Sequence, residues 1–272
     1  MAMQLLPDGT EIFFERKGRG RAVVLLHGVW ASSRFFKKQI DALSSEFDVT
    51  ALDFRGHGRS SKTVAGHTVS QYAEDLFAFL GATKSEEVIL VGWSMGAFVT
   101  WQYLQQFGAK HVSGVVIVDQ SASDFQWPGW NYGVFDFNGL REIMMSVQTK
   151  RRELALGFAS SMFKEKPSEE DITFLADEVC KVPEAIAGCI FFDQAVRDYR
   201  AQLSSITVPT LLCFGRASKP FPVEAGQDLA QRISGAKLIV FEESGHCPFW
   251  EESSRFNEEV SRFLMTVSHV AR

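Results

Sequence analysis

The chain has 272 residues, 46% apolar and 22% charged, with a formal net charge of −5. That balance fits a soluble globular protein with one large domain and offers no basic surface for nucleic acid or anionic membrane. No apolar run reaches the roughly 20 residues of a membrane span, and MAMQLLPDGTEIFFERKG lacks the basic and apolar regions of a secretory signal, so a cytoplasmic location is expected.

In chain order, EIFFER and RAVVLLHG read as strands, the second almost continuously apolar. FDVTALDF is a third strand, SQYAEDLFAFLG a helix, EEVILVGW a strand, MGAFVTWQYLQQFG a helix and VSGVVIVDQ a strand. After a long interval come the strand TLLCFG, the helix VEAGQDLAQRIS, the strand AKLIVFEE and a helix from ESSRFNEEVSRFL. Short apolar strands alternating with amphipathic helices predict a parallel sheet covered on both faces. The interval 121–206 carries helical patterns (LREIMMSVQTKRRELALGFASSMF, SEEDITFLADEVCK, PEAIAGCIFFDQAVRDYR) and no convincing strand. It is read as a helical cap over the carboxyl edge of the sheet, leaving 1–120 and 207–272 as the core.

Each strand end carries a distinctive stretch. In LLHGVW, Gly28 permits a turn that could present the Val29 N–H to a developing oxyanion, with His27 bracing the loop and Trp30 either a wall or a lid. DFRGHGRSS reads as an architectural turn in which Arg55 and His57 satisfy loop carbonyls; no G-K-[ST] follows to make it a phosphate loop. GWSMG lies where a strand yields to a helix, the context of a nucleophile elbow. There Ser94 is pushed into the site, Gly92 and Gly96 give room, and the Met95 N–H supplies a second oxyanion donor. His246, in ESGHCPFWEE after the last long strand, is the candidate base; His67, His111 and His269 lack such a setting. The 24 phenylalanines are an unusual number. Those of the cap, with its Trp and Met residues, are expected partly to form its own core and partly to line a large apolar pocket; Trp30, Trp127, Trp130, Phe135, Phe137, Met144, Phe158 and Phe192 are the candidate substrate contacts. Cys180, Cys189, Cys213 and Cys247 lack C-x-x-C spacing and are read as free thiols, with no metal site.

Together LLHGVW, DFRGHGRSS, VGWSMG and ESGHCPFWE resemble the α/β-hydrolase superfamily over nearly the whole chain. The resemblance implies an α/β fold with a mostly parallel eight-stranded sheet, helices on both sides, and a cap between strands six and seven. In the family's commoner pattern the triad acid follows the glycine of the strand-seven turn by three residues, which here is Ser218 in FGRASKPFP. The replacement is Asp119, which ends VSGVVIVDQ 25 residues after Ser94 and can still orient His246; Asp124 is a weaker rival. This displaced acid resembles the cofactor-independent dioxygenases that cleave 3-hydroxy-4(1H)-quinolones, including alkylated quorum-sensing signals. That likeness implies a His246–Asp119 base, Ser94 as a hydrogen-bond donor, a small hydrophobic aromatic substrate with O2, no cofactor, and release of carbon monoxide with an N-acylanthranilate. LLHGVW and GWSMG equally resemble the esterase-like and perhydrolase-like non-haem haloperoxidases. They imply the alternative, a serine hydrolase (carboxylesterase, lactonase or perhydrolase-like) with a Ser94–His246–Asp119 triad.

Overall fold

A computed structural model describes residues 1–267. The strands are β1 (Ala2–Leu5), β2 (Glu11–Lys17), β3 (Ala22–Leu26), β4 (Asp48–Leu52), β5 (Val88–Trp93), β6 (Val112–Val118), β7 (Thr210–Gly215) and β8 (Lys237–Phe241). They form one sheet in the order β1-β2-β4-β3-β5-β6-β7-β8. The β1–β2 and β2–β4 pairs are antiparallel and every other pair is parallel. The helices are α1 (Lys37–Leu43), α2 (Val69–Ala82), α3 (Met95–Phe107), α4 (Phe137–Thr149), α5 (Arg151–Ser161), α6 (Glu169–Cys180), α7 (Glu184–Ala195), α8 (Val223–Arg232), α9 (Pro248–Glu251) and α10 (Ser253–Thr266).

Successive side chains of a strand point to opposite faces, and the central strands bury both. Val24, Leu26, Leu90, Ile117 and Leu212 pack with Tyr72 and Phe79 of α2, Phe98 of α3 and Leu229 of α8. Val23, Leu25, Val91, Val118 and Cys213 pack with Ile40 of α1 and with Phe256 and Val260 of α10. Two buried faces explain why these strands read as continuous rather than alternating apolar runs. Helices α4 to α7 all lie between β6 and β7 in the chain, and they contribute to both cores, through Leu140 and Val147 on one side and Ala159 and Leu175 on the other. Among the described residues no helix is long and apolar enough to cross a membrane.

The structure departs from the sequence reading at several places. Strand β1 was not expected: it is a four-residue edge strand whose Met3 and Leu5 are exposed, so it has no buried face to give it a pattern. The short 3₁₀ turn Ser33–Phe36 and α1 were not expected either, and neither has a side-chain cap or an acidic first turn. The single helical pattern LREIMMSVQTKRRELALGFASSMF is two helices, broken at Lys150 (φ −141°, ψ 40°). The Lys150 N–H closes α4 on the Ser146 carbonyl while its own carbonyl opens α5 by accepting from Leu154. No glycine or proline marks this corner.

Candidate active site

The site begins where β5 gives way to α3. Ser94 sits between them at φ 53° and ψ −121°, a region costly for any residue with a Cβ, of order 1–3 kcal/mol. The surroundings hold it there. A Cβ on Gly92 would lie 2.4 Å from the Gly96 carbonyl oxygen, and one on Gly96 would lie 2.2 Å from that of Leu26 in β3. Only glycine at both positions lets the start of α3 approach β3 and β5 so closely. The Ser94 N–H donates to the Val118 carbonyl of β6 (3.1 Å), tying the turn to the next strand.

That next strand ends in Asp119, itself in the left-handed region at φ 47°, which aspartate tolerates better than most residues. Its buried carboxylate accepts three hydrogen bonds. Oδ1 accepts from the Gly215 N–H at 2.9 Å, and Oδ2 accepts from Ser218 Oγ at 2.5 Å and from His246 Nδ1 at 2.7 Å. With Nδ1 as the donor, His246 keeps its Nε2 lone pair free. Ser218 occupies the position of the commoner acid, and here its hydroxyl supports the acid that stands one strand away. His246 is held by its backbone as well: its N–H donates to Met162 O at 2.7 Å, and its carbonyl accepts from Trp93 Nε1 at 2.9 Å. The Phe221 and Trp93 rings flank the imidazole at 5.6 and 5.3 Å between centroids. Asp124 makes no hydrogen bond to His246. It accepts instead from Gln120 and Gln194, and burial pushes its carboxyl up to about 6 against the pull of those two bonds.

Val29, in the loop after β3, and Met95, the residue after Ser94, each have an N–H that donates to no other protein group among the described residues. For Met95 this follows from its place as the first residue of α3, where an N–H has no partner within the helix. His27 braces the Val29 loop. Its Nε2 accepts from the Phe54 N–H (3.1 Å), so Nδ1 carries the proton and donates to the Gly28 carbonyl (2.7 Å). Burial lowers its pKa to about 4, with Asp53 opposing, so the ring stays neutral. In the DFRGHGRSS turn, His57 does meet the Arg55 carbonyl. Arg55 does not serve loop carbonyls as expected; it forms ion pairs with Asp75 and Asp8.

Ser94 and His246 open onto one cavity of about 440 Å³, most of whose lining is apolar. Trp30, Phe135 and Phe158 line it with Val29. Trp30 is a fixed wall: its indole N–H donates to Ala187 O, and its ring stacks on Phe191 and under the Arg151 guanidinium. The other five expected contacts lie elsewhere. Trp127 and Trp130 turn their N–H groups inward, to Ser123 Oγ and Ser123 O, and knit the loop after β6. Phe137 and Phe192 are exposed, and Met144 packs against Gly188 between α4 and α7. Sequence reasoning missed Leu154, Ile143, Gln194 and Phe221 in the lining. The helical spacing 154, 157, 158, 161 on α5 was the available signal for Leu154, since residues three and four apart share a face. Among the described residues Ser94 Oγ makes no hydrogen bond, and contacts between nucleophile and base are commonly longer without substrate. The arrangement can move a proton from the hydroxyl to Nε2 and hold negative charge on two N–H groups.

A family model described as "alpha/beta hydrolase fold" matches residues 21–253. The AB hydrolase superfamily protein YisY of Bacillus subtilis is 27% identical, over 94% of this chain and 96% of that protein. A pimeloyl-[acyl-carrier protein] methyl ester esterase of Vibrio atlanticus is 26% identical, over 93% of this chain and 97% of the esterase. Among solved structures, an esterase from Exiguobacterium antarcticum superposes with a TM-score of 0.93 at 26% identity, covering 97% of this chain and 99% of that one.

Proposed function

From the premise that this chain belongs to the α/β hydrolase fold family, we propose that it is a serine hydrolase cleaving a hydrophobic carboxylic ester. One observation carries the reading: Asp119 holds His246 at 2.7 Å through Nδ1, and the free side of that ring lines the same cavity as the strained Ser94. In the proposed reaction His246 Nε2 takes the Ser94 proton as Oγ attacks the ester carbonyl. The tetrahedral oxyanion accepts from the Val29 and Met95 N–H groups, a contribution of about 3–4 kcal/mol per donor in comparable sites. The proton passes to the leaving alcohol, and water then hydrolyses the acyl group from Ser94 by the same steps in reverse. The names of the Vibrio and Exiguobacterium relatives, both esterases, support this class.

The position of Asp119 at the end of β6 favours one second reading, the cofactor-independent cleavage of a 3-hydroxy-4(1H)-quinolone by O2. None of the three relatives bears such a name, so it stands second. Turnover of p-nitrophenyl esters and of a 2-alkyl-3-hydroxy-4(1H)-quinolone, each under air and under nitrogen, separates the two. A hydrolase cleaves the ester equally in both atmospheres and leaves the quinolone intact. Quinolone loss with equimolar O2 uptake and carbon monoxide release, beside inert esters, would reverse the order.

A further inference from the structure

The cavity wall contains a carboxyl group that ester hydrolysis does not use. Asp124 is 2% exposed, yet it lines the mainly apolar cavity. Its backbone is fixed, because its carbonyl accepts from both the Val134 and Phe135 N–H groups at 2.7 and 3.0 Å. Its Oδ1 accepts from Gln120 Nε2 at 2.7 Å and its Oδ2 from Gln194 Nε2 at 2.8 Å. A carboxylate has about four lone-pair sites, so half of its accepting capacity is unused. The amide oxygens of Gln120 and Gln194 are also buried, with no hydrogen-bond partner among the described residues, and Gln194 lines the cavity. Buried acceptors are normally satisfied. This cluster is short of donors, and a ligand can supply one.

Among the described residues no cation takes that place. The Arg197 carbonyl accepts from Ser123 Oγ beside Asp124, but its guanidinium is paired with Asp193. Lys219 lines the cavity from the turn after β7 and makes no ion pair among the described residues. His246, the remaining ionisable group of the lining, points Nδ1 at Asp119. We propose that the Gln120–Asp124–Gln194 cluster selects the substrate: the part that enters the cavity is apolar along its length and carries an ammonium or other hydrogen-bond donor that docks on Asp124 and Gln194. Calling that ligand the substrate rests on the hydrolase reading; its binding does not.

The charge state of Asp124 gives the proposal a pH signature. Burial raises its carboxyl to about 6, so the group is ionised above that pH and neutral below it, while an alkylammonium stays charged throughout. Preference for a cation therefore rises with pH through about 6. Calorimetry with n-alkylammonium ions of about four to eight carbons is expected to show binding at least about tenfold tighter at pH 7.5 than at pH 5.0, as a charge-assisted hydrogen bond allows. Asp124→Asn should abolish this difference and Lys219→Ala should preserve it. The same switch should appear in turnover. The ratio of kcat/KM for p-nitrophenyl 6-aminohexanoate over p-nitrophenyl heptanoate should climb about tenfold across that range in the wild type and stay flat in Asp124→Asn, any pH effect common to the two esters cancelling in the ratio. Equal affinity at both pH values, or wild-type affinity in Asp124→Asn, overturns the proposal. Intact pH-dependent binding with neither ester turned over contradicts the hydrolase reading alone, whereas rapid turnover at a constant ratio contradicts the selection alone.

Discussion

Asp119 holds two oxygens against three donors, Gly215, Ser218 and His246, and this shared carboxylate explains how the acid can stand on β6. Ser218 Oγ is 2.5 Å from the same Oδ2 that orients the histidine, so a carboxylate grown from position 218 would reach the same imidazole. Two predictions follow from that geometry. Asp119→Asn is expected to lower kcat on a p-nitrophenyl ester by about 10²- to 10⁴-fold, because the tautomer and its imidazolium lose their partner. Adding Ser218→Asp to Asp119→Asn should recover at least about tenfold of that loss. No recovery, measured on well-folded protein, would mean that the two strand ends are not interchangeable. Much of this was legible in the sequence: FGRASKPFP offers no acid, and VSGVVIVDQ ends in one. The support that Ser218 gives to Asp119 was not, since a hydroxyl 99 residues away in sequence has no local signature. Trp127 and Trp130 misled for a related reason. Composition marks an indole as a large apolar body, but Ser123 claims both N–H groups and draws these rings into the loop.

Among secondary-structure elements, those with a long apolar run or a full amphipathic pattern were readable and the short or irregular ones were not. Strands β3 to β7 follow from their apolar runs, and α2 from the amphipathic pattern SQYAEDLFAFLG; the structure adds a cap at Thr68, whose side chain accepts from the Gln71 N–H. Edge strand β1, short α1 and the corner at Lys150 depend on tertiary contacts, so local pattern passes over them. Glycine shows the same contrast within helices. Gly96, one residue into α3, has the Leu26 carbonyl 2.2 Å from where a Cβ would lie, whereas Gly81 near the end of α2 has nothing within 4 Å. Gly96→Ala must displace β3 or α3, so it is expected to cost at least about 2 kcal/mol and to lower activity by disturbing Ser94. Gly81→Ala should instead stabilise by about 0.4–1 kcal/mol through loss of unfolded-state freedom. Thermal or denaturant unfolding of the two variants tests this directly, and equal effects would contradict the packing described at the turn.

At the scale of the whole molecule, a sheet buried on both faces brings the ends of β3, β5, β6 and β7 and the loop after β8 to one cavity, where the helices between β6 and β7 supply the apolar wall. The sequence made the sheet and its carboxyl-edge motifs plain, because each motif is continuous in the chain. Which cap side chains face inward was not plain, because helices α4 to α7 must cover both the cavity and their own small core. The esterase names of two relatives agree with the hydrolytic reading, and the central claim is that Ser94 is the nucleophile. The most direct measurement is stoichiometric labelling with a fluorophosphonate, followed by peptide mass analysis and residual turnover of a p-nitrophenyl ester. One adduct on Ser94, loss of turnover in step with labelling, no adduct in Ser94→Ala, and labelling slowed by at least about 10²-fold in His246→Ala are predicted. Full ester turnover by protein labelled at Ser94, or turnover by Ser94→Ala within about tenfold of wild type, would contradict the account.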